Sequence, residues 1–414
     1  MSRISPSSIL SVIRRIRCNS SKTTFSIRTL KNGSEWHPGG LDHVSSRLLA
    51  NAPLRKYSQE CDTLHLGTTS TGSASTNCGD FSMAPYPSCP IPVVDFSAMS
   101  LDVKDPDRSN QAVKDLANQV YQAFSTIGVV YITNHGIPQE TASLSFSNKP
   151  IDTTFETYDK FFNLNIDVKK KYAKRTGTTL KNGWDKLESE RATGNMKRPA
   201  DLKESFDFCG LEDENYTWPN EEVPNFQGTV QTFYEDITSL AARMLSVIAI
   251  SLDLDPDTFA FAWQKTGTSE GCTQLRYNYY PMISDLSKIK PGQIRAGEHS
   301  DYGGITLLLQ DDVGGLEVIN NVDGQFAPVT PLRGAVLVFI ADLMQRWTSD
   351  RYKSVVHRVL IPEEEIKRRV PRRSLALFHD PDNDTMVTCL DGSNQYPPIK
   401  AKDWVDGKRY SAYK

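Results

Sequence analysis

Two histidines and one aspartate carry the strongest chemical signal in this chain. His299 and Asp301 are two positions apart, and His357 follows 56 residues after Asp301. On an extended chain, residues two apart point to the same face, so the first pair can act on one ligand. Two imidazoles and one carboxylate are the ligand set that holds non-haem Fe(II) and leaves neighbouring coordination positions open. The three residues are predicted metal ligands, although a histidine in an apolar strand is more often a core residue.

The other histidines of the chain fit a metal site less well. Of seven histidines, His37, His43 and His65 fall in an N-terminal segment that is not expected to fold. His135, in an Asn-His-Gly sequence, is expected to be structural. His379 is offset by one position from the inward face of its predicted strand, so it is expected to point away from the site.

A second polar group follows the distal histidine. The side chains that alternate along one predicted strand are Arg372, Ser374, Ala376 and Phe378. One face of this strand therefore offers a guanidinium, a hydroxyl and an aromatic ring. A planar guanidinium matches a carboxylate through two hydrogen bonds, and a buried carboxylate must be paired. Arg372 is preferred over Arg373 because of its spacing to Ser374.

Hydrophobic spacing predicts the elements that position these residues. Helical spacing predicts helices around 113–124, 161–171 and 230–248, with strands at 92–96 and 129–133. After Gly271 the apolar residues alternate, which predicts strands at Thr306–Gln310, Leu316–Asn320, Phe326–Pro331, Ala335–Ala341, Ser354–Ile361, Arg373–His379 and Thr385–Leu390. Many short strands at this spacing predict a mainly β protein with flanking helices: a jelly-roll core preceded by a helical N-terminal part.

The segments around these residues repeat the motifs of one enzyme family. His299–Asp311 is similar to an HxDxG…TxLxQD motif, Arg372 and Ser374 form an RxS motif, and Asn278–Tyr280 matches an Asn-x-Tyr element. Further similar segments are Ile91–Phe96, Gly128–Ile137, Asp201–Asp207 and Gln345–Val359. From about residue 90 to the C-terminus the chain resembles the isopenicillin N synthase-like 2-oxoglutarate/Fe(II) dioxygenases.

This resemblance implies an activity and a set of cofactors. The fold would be a double-stranded β-helix, with Fe(II) as the metal and 2-oxoglutarate as cosubstrate. Arg372 and Ser374 would bind the C5 carboxylate of 2-oxoglutarate, and Tyr280 would add a hydroxyl contact. The enzyme would use O2 to oxidise, most often to hydroxylate, a small organic metabolite, while 2-oxoglutarate is decarboxylated to succinate and CO2. Ascorbate would serve as a reductant.

The substrate is not encoded in these motifs. Tyr302, Phe378 and Trp184 are candidate substrate-facing residues, with core packing as an equal alternative for each. The segment Lys174–Asp201 is expected to set specificity. Three alternatives remain: an oxidase that uses no 2-oxoglutarate, a non-catalytic binding or scaffold member, and a zinc hydrolase. The hydrolase lacks an HExxH-type base, because Glu298 is expected to face away from the site.

The N-terminal segment has the composition of a targeting sequence. Residues 1–34 carry seven positive charges and no acidic residue precedes Glu35. Serine-rich, basic and acid-poor segments are typical of mitochondrial transit peptides. The composition therefore predicts that residues 1–57 are a transit peptide recognised by the mitochondrial import machinery. Without import, the protein would be cytoplasmic. Residues 58–90 are predicted to be a flexible linker. The predicted regions that follow are 91–255 (helical N-terminal region), 268–395 (jelly-roll core) and 396–414 (C-terminal tail).

Overall composition gives no sign of a nucleic-acid or membrane partner. The net charge is −3, and no stretch approaches the roughly 20 apolar residues needed to span a bilayer. The seven cysteines contain no CxxC pair, which predicts free thiols and argues against a cysteine-based zinc or iron–sulfur site. A small molecule and O2 are the expected reaction partners.

Overall fold

The computed structural model of the protein describes residues 91–137, 150–175, 182–192, 198–210, 212, 216–321 and 324–412. The predicted transit peptide and linker lie outside the described residues. Among the helices of the described ranges, none combines the length and the apolar character that crossing a bilayer requires.

The elements follow one another in two groups. The N-terminal group consists of β1 (Val93–Asp95), α1 (Gln111–Thr126), β2 (Val129–Thr133), α2 (Pro150–Phe162), α3 (Ile166–Lys169), β3 (Gly183–Asp185), β4 (Glu204–Phe208) and α4 (Phe226–Ser251). The C-terminal group consists of β5 (Gln274–Tyr280), β6 (Ala296–His299), β7 (Ile305–Gln310), β8 (Leu316–Ile319), β9 (Phe326–Pro328), β10 (Val336–Ile340), α5 (Asp342–Trp347), β11 (His357–Val359), α6 (Glu365–Arg368), β12 (Arg372–His379), β13 (Met386–Val387), β14 (Ile399–Lys400) and α7 (Ala401–Ala412).

Local sequence signals account for the helix boundaries. The side chain of Asn110 accepts a hydrogen bond from the backbone N–H of Ala112 and begins α1. The helix ends before Gly128, which has a φ of +86°. A Cβ at Gly128 would lie 2.0 Å from the carbonyl oxygen of Lys353, so only glycine fits there. Asn165 caps α3 in the same way, which divides the predicted second helical stretch into α2 and α3.

Two sheets form the double-stranded β-helix. The larger has eight strands in the order β1-β2-β10-β7-β12-β5-β4-β3, and the smaller has the order β6-β11-β8-β9. Strands from the N-terminal group pair with strands of the C-terminal group, since β2 lies beside β10 and β4 lies beside β5. Residues 91–255 and 268–395 therefore contribute to one continuous sheet.

The apolar residues form two cores on opposite faces of the large sheet. Alternate residues of β10 show this division. Val336, Val338 and Ile340 pack with the cluster that includes α1, α2 and α4. Leu337 and Phe339 belong instead to a smaller cluster with residues of β6, β8 and β11, which lie in the other sheet. The smaller cluster therefore lies between the two sheets, where the cavity opens.

Several strands differ from the sequence prediction. The predicted strands Phe326–Pro331, Ser354–Ile361 and Thr385–Leu390 shrink to β9, β11 and β13, of two or three residues each. In β11, pairing with β6 shifts register after His357, and such bulges end regular pairing. The strands β3 to β6 had no apolar alternation strong enough to predict them, because several of their inward residues are polar. The predicted C-terminal tail contains β14 and α7, and Val405 of α7 is fully buried.

Candidate active site

The three predicted ligands meet at the ends of strands in the smaller sheet. His299 ends β6 and His357 begins β11, and the two residues are directly paired across these antiparallel strands. The Nε2 atoms of His299 and His357 lie 3.9 Å and 3.8 Å from Oδ1 of Asp301. One potential ligand atom from each of the three lies within 4.8 Å of the others. Two imidazoles and a carboxylate at this separation fit a divalent iron ion, which takes N and O donors of this type.

The two imidazole rings are held from behind by the backbone. His299 Nδ1 lies 2.7 Å from the carbonyl oxygen of Gly297, and His357 Nδ1 lies 3.2 Å from that of Val355. A carbonyl can only accept, so each Nδ1 carries the proton and each Nε2 presents a lone pair to the site. Burial, and then the neighbouring His357, lower the pKa of His299 to about 4. His299 is therefore neutral near pH 7, as metal binding requires.

The chain around Asp301 turns tightly, and two glycines make this turn fit. A Cβ at Gly303 would lie 1.6 Å from Oδ1 of Asp380, and one at Gly304 would lie 2.7 Å from the ring of Trp263. The carbonyl oxygen of Asp301 accepts a hydrogen bond from the N–H of Asp342, the first residue of α5. The two glycines of the His-Ser-Asp-Tyr-Gly-Gly sequence thus allow the chain that follows Asp301 to pass close to Asp380 and Trp263.

Arg372 lies in the same cavity as the triad, and its guanidinium is only partly engaged. The residue is 1% exposed. Its Nε donates to the carbonyl oxygen of Gly314 at 3.0 Å and its Nη2 to Oε1 of Gln310 at 2.8 Å. Nη1 is buried without a hydrogen-bond partner among the described residues. The guanidinium also lies 4.9 Å from the ring centre of Tyr280, which is opposite Arg372 on β5.

The cavity wall follows the alternation of β12. The residues that alternate along this strand and line the cavity are Arg372, Ser374, Ala376 and Phe378. Arg373 points to the other face, where it forms ion pairs with Asp159 at 2.6 Å and Asp311 at 3.3 Å. The structure therefore brings Arg372, and not its neighbour, to the cavity, as the spacing to Ser374 predicted. Asn278 Nδ2 donates to the Ser374 hydroxyl at 3.5 Å, which links β5 to this wall.

A charged section of the wall was not predicted from the sequence. Glu190 pairs with Lys203 at 2.9 Å and with Arg276 at 3.1 Å, and all three line the cavity. Arg276 also forms a bidentate pair with Asp207 at 2.7 and 2.8 Å. The alternation Gln-x-Arg-x-Asn-x-Tyr in β5 was the available signal, because its polar residues are the ones that line the cavity. No pattern in the sequence indicated that Glu190 would be buried or that Lys203 would line the cavity.

The three candidate substrate residues separate into two groups. Tyr302 and Phe378 line the cavity. Trp184 does not; it is 3% exposed, and its indole N–H donates to Glu204 at 2.8 Å in a cluster that also contains Lys169. The structure does not bring Trp184 to the site, because β3 is the outermost strand of the large sheet.

His135 and His379, the other histidines that the structure describes, do not belong to the ligand cluster, and neither does Glu298. His135 is buried, with Nε2 3.1 Å from the carbonyl oxygen of Gly334. His379 stacks on Trp263 with ring centres 5.3 Å apart, and burial lowers the pKa of its imidazole to about 3. Glu298 faces outward and pairs with Arg358 at 2.8 Å. A glutamate base for a zinc hydrolase is therefore missing at this position.

Comparison with known proteins agrees with this geometry. The profile of the 2OG-Fe(II) oxygenase superfamily matches residues 269–381, and the family described as "non-haem dioxygenase in morphine synthesis N-terminal" matches residues 91–227. The proline hydroxylase buaE of Petromyces alliaceus is 35% identical over 279 residues, which are 66% of this chain and 83% of the relative. The 2-oxoglutarate-dependent dioxygenase frbA of Dothideomycetidae sp. is 31% identical and covers 72% of this chain and 88% of its own.

Solved structures give the same result. A full-length Neurospora crassa protein in complex with alpha-KG and thymine superposes with a TM-score of 0.64 at 29% identity, covering 78% of this chain and 97% of that one. Sequence motifs, fold, triad and relatives thus agree, and none of them supports the oxidase or scaffold alternatives. The chain belongs to the 2-oxoglutarate/Fe(II) oxygenase superfamily and is a non-haem, Fe(II)- and 2-oxoglutarate-dependent dioxygenase.

Proposed function

We propose that His299, Asp301 and His357 hold the Fe(II) and that Arg372, Ser374 and Tyr280 bind the distal carboxylate of 2-oxoglutarate. The observation that carries this proposal is the unpartnered Nη1 of the buried Arg372, in the same cavity as the triad. A buried guanidinium with a free donor is costly unless an anion completes its hydrogen bonds. The donor set of the triad suits iron, and the arginine suits the carboxylate of the cosubstrate.

Some residues of the site hold the metal, and others exclude water from it. Iron held by the triad would supply the chemistry that activates O2 in the presence of a 2-oxo acid. The backbone carbonyls behind His299 and His357 keep both Nε2 atoms directed at the metal. Leu308, Phe339 and Val359 form an apolar part of the cavity wall. An apolar wall keeps bulk water and reactive side chains away from the oxidising centre.

We further propose that the substrate is a compact, polar metabolite that is hydroxylated at a C–H bond. Support comes from the section of wall formed by Glu190, Lys203 and Arg276, whose charges pair with one another and offer both donors and acceptors. Phe378 gives an aromatic surface beside these charges, with the Arg276 guanidinium 5.9 Å from its ring centre. Two relatives act on or hold molecules of this size, since one is named a proline hydroxylase and the Neurospora crassa structure contains thymine.

A turnover assay tests this function. The full-length chain with Fe(II), ascorbate, O2 and 2-oxoglutarate is expected to form succinate slowly alone. One compound from a library of amino acids, pyrimidine bases and other small polar metabolites should accelerate succinate formation at least about 10-fold, with a product one oxygen atom heavier. Iron binding without any consumption of 2-oxoglutarate would instead favour the oxidase or scaffold alternatives.

A matched pair of aromatic variants controls this assay. Phe378→Leu removes a ring that lines the cavity, and we expect it to raise the KM of the accelerating compound. Trp184→Phe removes an indole N–H that bonds Glu204 away from the cavity, and we expect the same KM to stay within about twofold. The opposite ranking would contradict the proposed substrate wall.

We also propose that residues 1–57 direct the protein to mitochondria. The support is compositional: seven positive charges in residues 1–34 and no acidic residue before Glu35. Residues 1–90 fused to a fluorescent protein are expected to accumulate in mitochondria and to be shortened near residue 57. The same fusion with Arg14→Glu and Arg15→Glu is expected to stay in the cytoplasm. Cytoplasmic fluorescence of the unaltered fusion would contradict the proposal.

A further inference from the structure

Arg295 is a fully buried arginine without any hydrogen bond from its side chain. Its exposed fraction is 0%, and Nε, Nη1 and Nη2 all lack a partner in the part of the chain that the structure describes. The residue directly precedes β6, the strand that ends at His299. Removing a charge from water is unfavourable when no counter-charge replaces the lost hydration, so a bound anion would stabilise Arg295.

Two of the electrostatic neighbours of Arg295, Arg372 and Tyr280, line the cavity that contains the triad. Burial, and then the like charge of Arg372, lower the pKa of the Arg295 guanidinium to about 10, while Tyr280 and Asp311 act in the opposite direction. Asp311 makes neither a hydrogen bond nor a salt bridge to Arg295; its carboxylate instead accepts from the N–H groups of Val313 at 3.2 Å and Arg373 at 2.6 Å and forms an ion pair with the Arg373 guanidinium at 3.3 Å. Two guanidinium groups with unused donors therefore lie near each other, and no carboxylate among the described residues forms a salt bridge with either.

We propose that Arg295 is a second cationic determinant of 2-oxoglutarate binding and acts together with Arg372 on the distal carboxylate. This inference rests on the proposed function, in which Arg372 binds that carboxylate. In the ligand-free protein the two like charges repel each other at low effective dielectric. A dicarboxylic 2-oxo acid brings the missing negative charge, so its binding removes both the repulsion and the unpaired state of the two guanidinium groups.

Two consequences distinguish this role from plain packing. Arg295 raises the free energy of the ligand-free fold, so a neutral side chain of similar size should stabilise the ligand-free protein or leave its stability unchanged. Arg295 is also expected to strengthen the binding of 2-oxoglutarate, a dicarboxylate, and not that of 2-oxo acids without a distal carboxylate. The affinity for 2-oxovalerate, which has the carbon chain of 2-oxoglutarate but no distal carboxylate, should therefore not depend on Arg295.

Calorimetric binding to the full-length, Mn(II)-loaded protein tests the inference without turnover. We expect Arg295→Leu to weaken 2-oxoglutarate binding roughly 10- to 100-fold, as expected for losing a charge-assisted contact, and to change 2-oxovalerate binding less than about twofold. The melting temperature of the ligand-free variant should equal or exceed that of the wild type. Arg295→Lys, which keeps the charge, should recover most of the 2-oxoglutarate affinity.

Each other outcome overturns the inference. One is unchanged 2-oxoglutarate affinity in Arg295→Leu, and another is an equal loss of affinity for both acids. If Arg295→Leu does not fold, Arg295→Gln replaces it. Failure of both neutral variants to fold would show that the charge supports the fold. Arg372→Leu separates the two proposals. If neither Arg372→Leu nor Arg295→Leu changes 2-oxoglutarate binding, the cosubstrate site itself is misassigned. If Arg372→Leu weakens binding and Arg295→Leu does not, only the role of Arg295 is wrong.

Discussion

Asp301→Ala is expected to remove Fe(II) binding and succinate formation together. The variant leaves two neutral imidazoles as the only protein ligands, without the carboxylate that balances part of the metal charge. Altering groups that only orient metal ligands costs roughly 10- to 100-fold in affinity or activity, so loss of a ligand should exceed about 100-fold in both. Iron content after dialysis and the rate of 2-oxoglutarate decarboxylation are the two measurements.

The neighbouring glutamate gives a matched control for this variant. Glu298 is an acidic residue three positions away, but it faces outward and pairs with Arg358. Glu298→Ala is expected to keep the iron content and the activity within about twofold, since an exposed ion pair contributes ~1 kcal/mol or less to stability. Circular dichroism should show the same folded content in both variants. Normal iron binding by Asp301→Ala would contradict the assignment of the triad.

The sequence was most informative where the chain alternates between apolar and polar faces. Along β12, Arg372 and Ser374 share the cavity face with Phe378, and this was predicted because their spacing is that of a regular strand. The histidines were predicted for a related reason, since few residue types can hold iron and the other histidines had simpler explanations. The triad, the arginine of the RxS motif and the jelly-roll core were therefore accessible from the sequence.

The sequence was least informative about charged residues that are buried or line the cavity. Arg276 and Lys203 are charged residues that line the cavity, and Arg295 is fully buried. Charged residues are mostly exposed, so a sequence alone assigns them to the surface unless a partner is known. The partners of Arg276 and Lys203, such as Glu190, lie 13 or more residues away in the chain and meet them only through the fold. Trp184 could not be assigned from the sequence, because a large aromatic side chain fits a packed core as well as a cavity; the structure places it in the core.

Arg372→Leu is expected to raise the KM for 2-oxoglutarate more than any other substitution outside the triad. Truncating one partner of a buried, hydrogen-bonded charge pair costs about 2–5 kcal/mol, which corresponds to roughly 30- to 5000-fold in affinity. The same change leaves the carbonyl oxygen of Gly314 and the amide oxygen of Gln310 without the donors that they now have. We therefore also expect a loss of about 1–3 kcal/mol in the free energy of unfolding.

Arg373→Leu separates these two effects, because it changes the same residue type one position along the same strand. Arg373 faces away from the cavity and pairs with Asp159 and Asp311, so its loss should lower stability without changing the KM for 2-oxoglutarate. Arg372→Lys keeps a positive charge but lacks the planar fork, and its KM should lie between those of the wild type and Arg372→Leu. A raised KM in Arg373→Leu with an unchanged one in Arg372→Leu would exchange the roles of the two arginines. Equal effects of both variants would mean that stability, and not contact with the cosubstrate, governs the KM.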